Sequence, residues 1–198
     1  MKSIVKKVVM AWVIETEREL SKGYKNAKEV AFLPLLAVYF GDKEQGLFKV
    51  FEHGTSITEV LSELSPKPII AALETIFSDK CYVTCEQELV CEAADFTEAV
   101  CVKFMTYYAF NMMYPNSAAT TLEFLQRQLF HINPPKVTKR EGGQRSRTSV
   151  NAKVMKLNHM LQANVLSEQL NCPNQRCKVR LELTAAWLLI EDRRWKQS

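Results

Sequence analysis

Apolar residues recur at helical spacing through residues 2–20: Ile4, Val5, Val8, Val9, Trp12 and Val13 share one face, and lysines and glutamates fill the other. That period predicts an amphipathic helix stopped near Gly23. Residues 30–40 form an unbroken apolar run rich in strand formers. A strand is predicted there, and Pro34 puts it on a sheet edge or moves its start to Leu35, since proline cannot donate to a ladder. Residues 41–46, bounded by Gly41 and Gly46, read as a turn. Leu47 to Phe51 alternates apolar and polar, so the runs on either side of this turn are expected to pair as a hairpin.

Ser56-Ile57-Thr58-Glu59 is a capping box that opens a short helix, roughly 57–64, before Ser65-Pro66-Lys67-Pro68 breaks it. The pattern from Ile69 to Cys91 is ambiguous, although Cys81–Cys85 and Leu89–Cys91 are strand-like. Asp95-Phe96-Thr97-Glu98 is a second capping box. The apolar helix after it carries Val100, Cys101, Phe104, Met105, Tyr108 and Met112, and is expected to reach about Met113. Tyr114-Pro115 ends it, because the residue before proline avoids helical geometry. Asn116 or Ser117 should cap the next helix, which bears Leu122, Phe124, Leu125, Leu129 and Phe130 and stops at Asn133-Pro134-Pro135. Two helices joined by so short a turn are expected to pack antiparallel. Val150, Val154, Leu157, Leu161 and Val165 mark a further helix, and the apolar run Leu181–Ile190 precedes a charged tail.

These elements predict an α+β fold, mainly helical, in which a small antiparallel sheet packs on an antiparallel helix pair. Four stretches divide the chain: an N-terminal amphipathic helix (1–29), a globular core (30–133), a basic flexible linker (134–149), and a C-terminal helix with a basic tail (150–198). No internal repeat is found.

Composition leaves this picture intact. Hydrophobic residues make up 47% and charged residues 24% of 198, ordinary values for a globular domain and wrong for a disordered or collagen-like chain. Charge changes it more. Net charge is +3 over residues 1–30, −7 over 31–132, +5 over 133–175 and +3 over 176–198. An acidic middle therefore lies between basic ends, which suits either an anionic partner or packing of ends against middle. The start, Met1 to Lys7, has the charge of a leader, but the apolar run Val8–Ile14 is short and meets Glu15-Thr16-Glu17 with no small-residue cleavage site. No run is long enough to span a membrane. Six cysteines without a secretory signal point to a reduced, intracellular setting, cytoplasmic or nuclear.

Candidate chemistry is sparse. Gly41 and Gly46 have phosphate-loop spacing, but Leu47 and Phe48 stand where the lysine and hydroxyl must follow. His53 lies near Thr55 and Ser56 with no nucleophile elbow, and Ser56 is explained as a cap. Cys81-x3-Cys85 and Cys172-x4-Cys177 could supply zinc ligands, Cys172 and Cys177 first among them, yet neither is the compact knuckle spacing. No cofactor is expected. Cys101 reads as core, and so does the aromatic stripe Phe104, Tyr107, Tyr108, Phe110 and Tyr114, with Tyr107 or Tyr114 available at a partner-facing edge. Lys136, Lys139, Arg140, Arg145 and Arg147, followed by Lys153 and Lys156, form the densest basic run. Such a run neutralises phosphates, though no aromatics interleave for base stacking. A solvated linker is the plainer reading.

The stretches Tyr107–Pro115, Thr121–Arg127 and Ile132-Asn133-Pro134, with Leu33–Phe40 ahead of them, resemble the C-terminal region of a set of uncharacterised animal proteins abundant in fish. Some of those are transposon-associated, and some carry a sterile alpha motif domain. The resemblance covers roughly residues 30–160 and is a core signature, so it implies no activity, cofactor or binding residue. The expectation is a non-enzymatic protein-interaction module with an unassigned protein partner and no membrane. The alternative is a nucleic-acid-associated protein derived from a mobile element, gripping phosphates through residues 136–156.

Overall fold

The computed structural model describes residues 2–134, 139 and 150–165. Its elements are α1 (Lys2–Ser21), α2 (Ala27–Phe40), β1 (Phe48–Phe51), α3 (Ile57–Glu63), β2 (Ile69–Leu73), β3 (Cys81–Cys85), β4 (Glu88–Ala93), α4 (Phe96–Ala109), α5 (Ala119–Gln128) and α6 (Ala152–Val165). The class is α+β.

The sheet has the order β1-β2-β3-β4 and is mixed rather than antiparallel throughout. β1 runs parallel to β2, with Phe48 opposite Ile70, and α3 makes the crossover between them. β2, β3 and β4 form an antiparallel meander. Between β3 and β4 the register shifts: Val83 faces Cys91 but Thr84 faces Leu89, which leaves Val90 as the extra residue of a bulge. The β3–β4 turn is Glu86-Gln87, both with positive φ (53° and 63°).

Residues 30–40 are helical, not a strand, so the expected hairpin with 47–51 does not form. The reason is burial on all sides. Nine of the eleven residues from Val30 to Phe40 are buried, and a helix apolar all round is what a surrounded core element requires. An apolar run of that length has no period to separate the two states. Pro34 sits inside the helix, where it withdraws only one amide from the ladder. Gly41 then ends α2 with φ 78°, a left-handed cap whose amide donates to Ala37 O.

The two capping boxes do their expected work. Ser56 Oγ accepts from Glu59 N, and Asp95 Oδ1 accepts from Glu98 N at 2.7 Å. Glu98 Oε2 in turn accepts from Ala94 N. The α5 cap differs from expectation. Neither Asn116 nor Ser117 caps it; instead Asp42, just past α2, accepts from Thr121 N at 2.7 Å. The turn after α2 thus fixes the start of α5. Replacing Asp42 by alanine is expected to cost about 1 kcal/mol, the usual worth of a cap, measured by urea unfolding. Gly46 allows the same approach for a steric reason: a Cβ there would collide with Ser117 Oγ and touch Ala118 Cβ at 3.0 Å.

Both sheet faces are covered. α3 closes a small cluster of Phe51, Val60, Leu64, Ile69 and Ala71. The main core lies on the other face and draws on every helix but α3, from Val9 and Val13 of α1 to Val154, Leu157 and Leu161 of α6. α4 packs on the sheet, whereas α5 packs on α2 and α6. The expected α4–α5 pair is therefore split between two neighbours. Its remaining contact includes Phe104 of α4 stacked on Phe130, centroids 3.8 Å apart. Among the described residues, no helix is long and apolar enough to cross a membrane.

Candidate functional site

The basic run is only partly within the described residues. Lys136, Arg140, Arg145 and Arg147 lie outside them, as do Cys172 and Cys177. Lys139 is described, and its amine is occupied. Nζ donates to Tyr107 O (3.0 Å), Asn111 Oδ1 (3.2 Å) and Met112 O (3.5 Å), and sits 4.7 Å from the Tyr108 ring centroid. These are acceptors at the C-terminal end of α4, where a cation offsets the helix dipole. Burial lowers the Lys139 pKa. Its carbonyl also accepts from Tyr114 N. Lys153 Nζ donates to Phe40 O at 2.7 Å, the equivalent place on α2. Lys156 is exposed.

The remaining candidates resolve as follows. His53 is exposed, while Ser56 is spent as the α3 cap and Thr55 Oγ1 donates to Glu52 O. Cys81 and Cys85 lie on β3 and Cys91 on β4; among the described residues no group of three metal-ligating side chains gathers. Burial pushes the Cys81 thiol up to about 11, away from thiolate chemistry.

Tyr107 and Tyr114 are fully buried, so neither reaches a partner-facing edge. Tyr114 Oη donates to Gln126 Oε1 at 3.1 Å, and its ring meets Tyr107 edge-on. The stripe's outlier is Phe110, 62% exposed just beyond α4. Cys101, expected in the core, is exposed as well.

The exposure of Cys101 marks a surface. Along α4, Cys101, Met105 and Ala109 recur every four residues, all exposed, with Met105 at 59%. No charged side chain interrupts this row after Glu98, and Phe110, just past the helix, is turned about 100° from Ala109 and off the row. The helix's other side is turned to the sheet, with Phe96, Ala99, Lys103 and Tyr107 buried, which fixes the direction of the exposed row. At Cys101 the row opens into a groove of about 70 Å³. Phe32 and Leu33 of α2, Val100 of α4 and Leu125 of α5 form its apolar walls.

One buried charge was missed. Lys103 is the sole charged residue between Glu98 and Glu123, and its placement in an apolar helix was the available signal. It is 1% exposed. Nζ donates to Gly46 O (3.1 Å) and Pro68 O, and Tyr107 Oη also donates to Pro68 O. Pro68 directly precedes β2 and Gly46 lies two residues before β1, so Lys103 ties the entries of both parallel strands to α4. Desolvation lowers its pKa to about 7. Lys103 does not line the groove. Its amine is engaged by two backbone carbonyls.

No family model, curated protein or solved structure matches the chain.

Proposed function

We propose that the chain is a non-enzymatic protein-interaction module that docks a partner on the exposed row of α4. The observation that carries this reading is the uninterrupted apolar row Cys101–Met105–Ala109, continuous with an apolar groove at Cys101. Contiguous exposed apolar surface of this kind marks interaction sites. A groove of about 70 Å³ accommodates one anchoring side chain, whereas small-molecule sites run to roughly 300–1,000 Å³. An intracellular setting, cytoplasmic or nuclear, is part of this proposal.

The phosphate-binding alternative is the weaker one. Two of its seven basic residues, Lys139 and Lys153, already donate to protein carbonyls.

The test is a double substitution, Met105→Glu with Ala109→Glu. Both side chains are exposed, so stability should stay within about 0.5 kcal/mol of the parent. Partner recovered by affinity capture from cells should fall about ten-fold or more, since a buried interfacial charge costs several kcal/mol. Unchanged recovery by a folded double variant would remove α4 as the docking face.

A further inference from the structure

β4 is the last strand of the sheet, and among the described residues no strand pairs with its outer side. Leu89 and Val90 are 45% and 39% exposed on it, so the edge carries apolar side chains beside its outward backbone groups. Such an edge is a template for one more strand. Charge narrows the choice. Glu86 in the β3–β4 turn and Glu88 and Glu92 on β4 make this edge acidic. Lys80 pairs with Glu92 at 2.8 Å, and no cation pairs with Glu88 among the described residues. A second copy of β4, laid antiparallel about Val90, would set Glu88 against Glu92, and like charges directly opposite are destabilising. The other edge strand, β1, is only four residues long and carries Lys49. A basic strand therefore suits β4 and is repelled by β1.

The chain itself carries such a segment. Arg176-Cys177-Lys178-Val179-Arg180-Leu181-Glu182-Leu183, outside the described residues, alternates polar and apolar over eight positions, and three of its four polar residues are cations. That alternation is the period of a strand with one apolar face. We infer that residues 176–183 add a fifth strand to the sheet along the outer edge of β4. Residues 166–175 join this segment to α6 and span up to about 33 Å, against a radius of gyration of about 15 Å for a domain of this size, so the edge is within reach. The two faces match as well. Glu92 is the cross-strand partner of Tyr82, which packs on the cluster under α3. Cys91 is the partner of Val83, on the face of the main core. One placement sets Arg176, Lys178 and Arg180 on the Glu92 face and Cys177, Val179 and Leu181 on the Cys91 face. Backbone hydrogen bonds supply the affinity of an added strand, and each opposite-charge pair contributes about 0.2–1 kcal/mol. The inference does not rest on the α4 docking face.

Hydrogen exchange of the full chain, read by mass spectrometry, tests it. In the parent, residues 176–183 should exchange about ten-fold or more slowly than an unstructured segment of the same sequence. Lys178→Pro together with Val179→Pro removes two adjacent amides, which point to opposite sides of a strand, so one of them is lost from the ladder whatever the register. This variant should exchange faster over 176–183 and over 88–93, while β2 and β3 keep the parent's rates and show that the fold is intact. Lys178→Glu with Arg180→Glu should also speed exchange over 88–93, and adding Glu92→Lys should slow it again. Exchange of 176–183 at the unstructured rate in the parent, or exchange of 88–93 unchanged by both pairs of substitutions, would overturn the inference. So would protection that grows with protein concentration, because the strand would then come from a second copy.

Discussion

A Lys103→Met variant is expected to lose a rise in stability that the parent shows between about pH 7 and pH 10. The folded protein holds the Lys103 amine at a pKa of about 7, while an unfolded lysine titrates near 10.4. Between those values the unfolded chain carries a proton that the folded chain lacks, so stability climbs with pH through this window. Below about pH 7 both states are protonated and the full desolvation cost of the buried ammonium is present. One pKa unit is worth about 1.4 kcal/mol, so the climb amounts to a few kcal/mol. Other groups work against it. Cys81 and Tyr24 have raised values, about 11 and 12, and a raised acid loses stabilisation as pH passes through its unfolded value toward its folded one. The parent curve alone is therefore a mixture, and the parent-minus-variant difference isolates Lys103. At pH 10 the variant should be the less stable, because Gly46 O loses its lysine donor, at about 1–3 kcal/mol for an acceptor left unsatisfied, while Pro68 O keeps Tyr107 Oη. Urea unfolding at several pH values measures this. Parallel curves would show that Lys103 does not titrate in the window.

Phe124→Ala is expected to be the most destabilising single truncation, by about 3–5 kcal/mol. Phe124 is 1% exposed, and its ring lies 6.2 Å from Phe32 and 5.8 Å from Phe40, so it is the hinge pin between α5 and α2. A domain of this size loses about 2–4 °C of melting temperature per kcal/mol, which puts the shift near 6–20 °C. Leu125, one residue on, lines the groove, so loosening α5 should also widen that site. Phe124→Leu keeps most of the volume and should recover most of the loss. An alanine variant that melts within about 2 °C of the parent would mean that α5 is held from elsewhere.

Local signals were legible in the sequence, and contextual ones were not. Ser56 and Asp95 cap where their boxes place them, because a cap is a contact over three residues. The period of Val154, Leu157 and Leu161 likewise gave α6 directly. Residues 30–40 misled because total burial erases period, leaving composition to suggest a strand. The β3–β4 turn hid itself: Glu86-Gln87 takes positive φ without the glycine or asparagine that normally announces such a turn. The α5 cap comes from Asp42, 79 residues away in sequence, which no local pattern can reveal. At the candidate site the apolar content of α4 was visible but its direction was not. The apolar pattern puts Cys101 inward, because the sheet's choice of the opposite face is a tertiary fact. Lys139 and Lys153 looked free for phosphates, and the ends of α4 and α2 claim them instead.

Site-specific photo-crosslinking in cells tests the central claim most directly. A benzophenone side chain is placed at Met105 on the α4 row, and separately at Glu59, an exposed residue of α3 on the opposite side of the sheet. The account predicts a discrete protein adduct from position 105 that is absent from position 59 and lost when Ala109→Glu is added. No adduct at 105, or the same adduct from both positions, would contradict it.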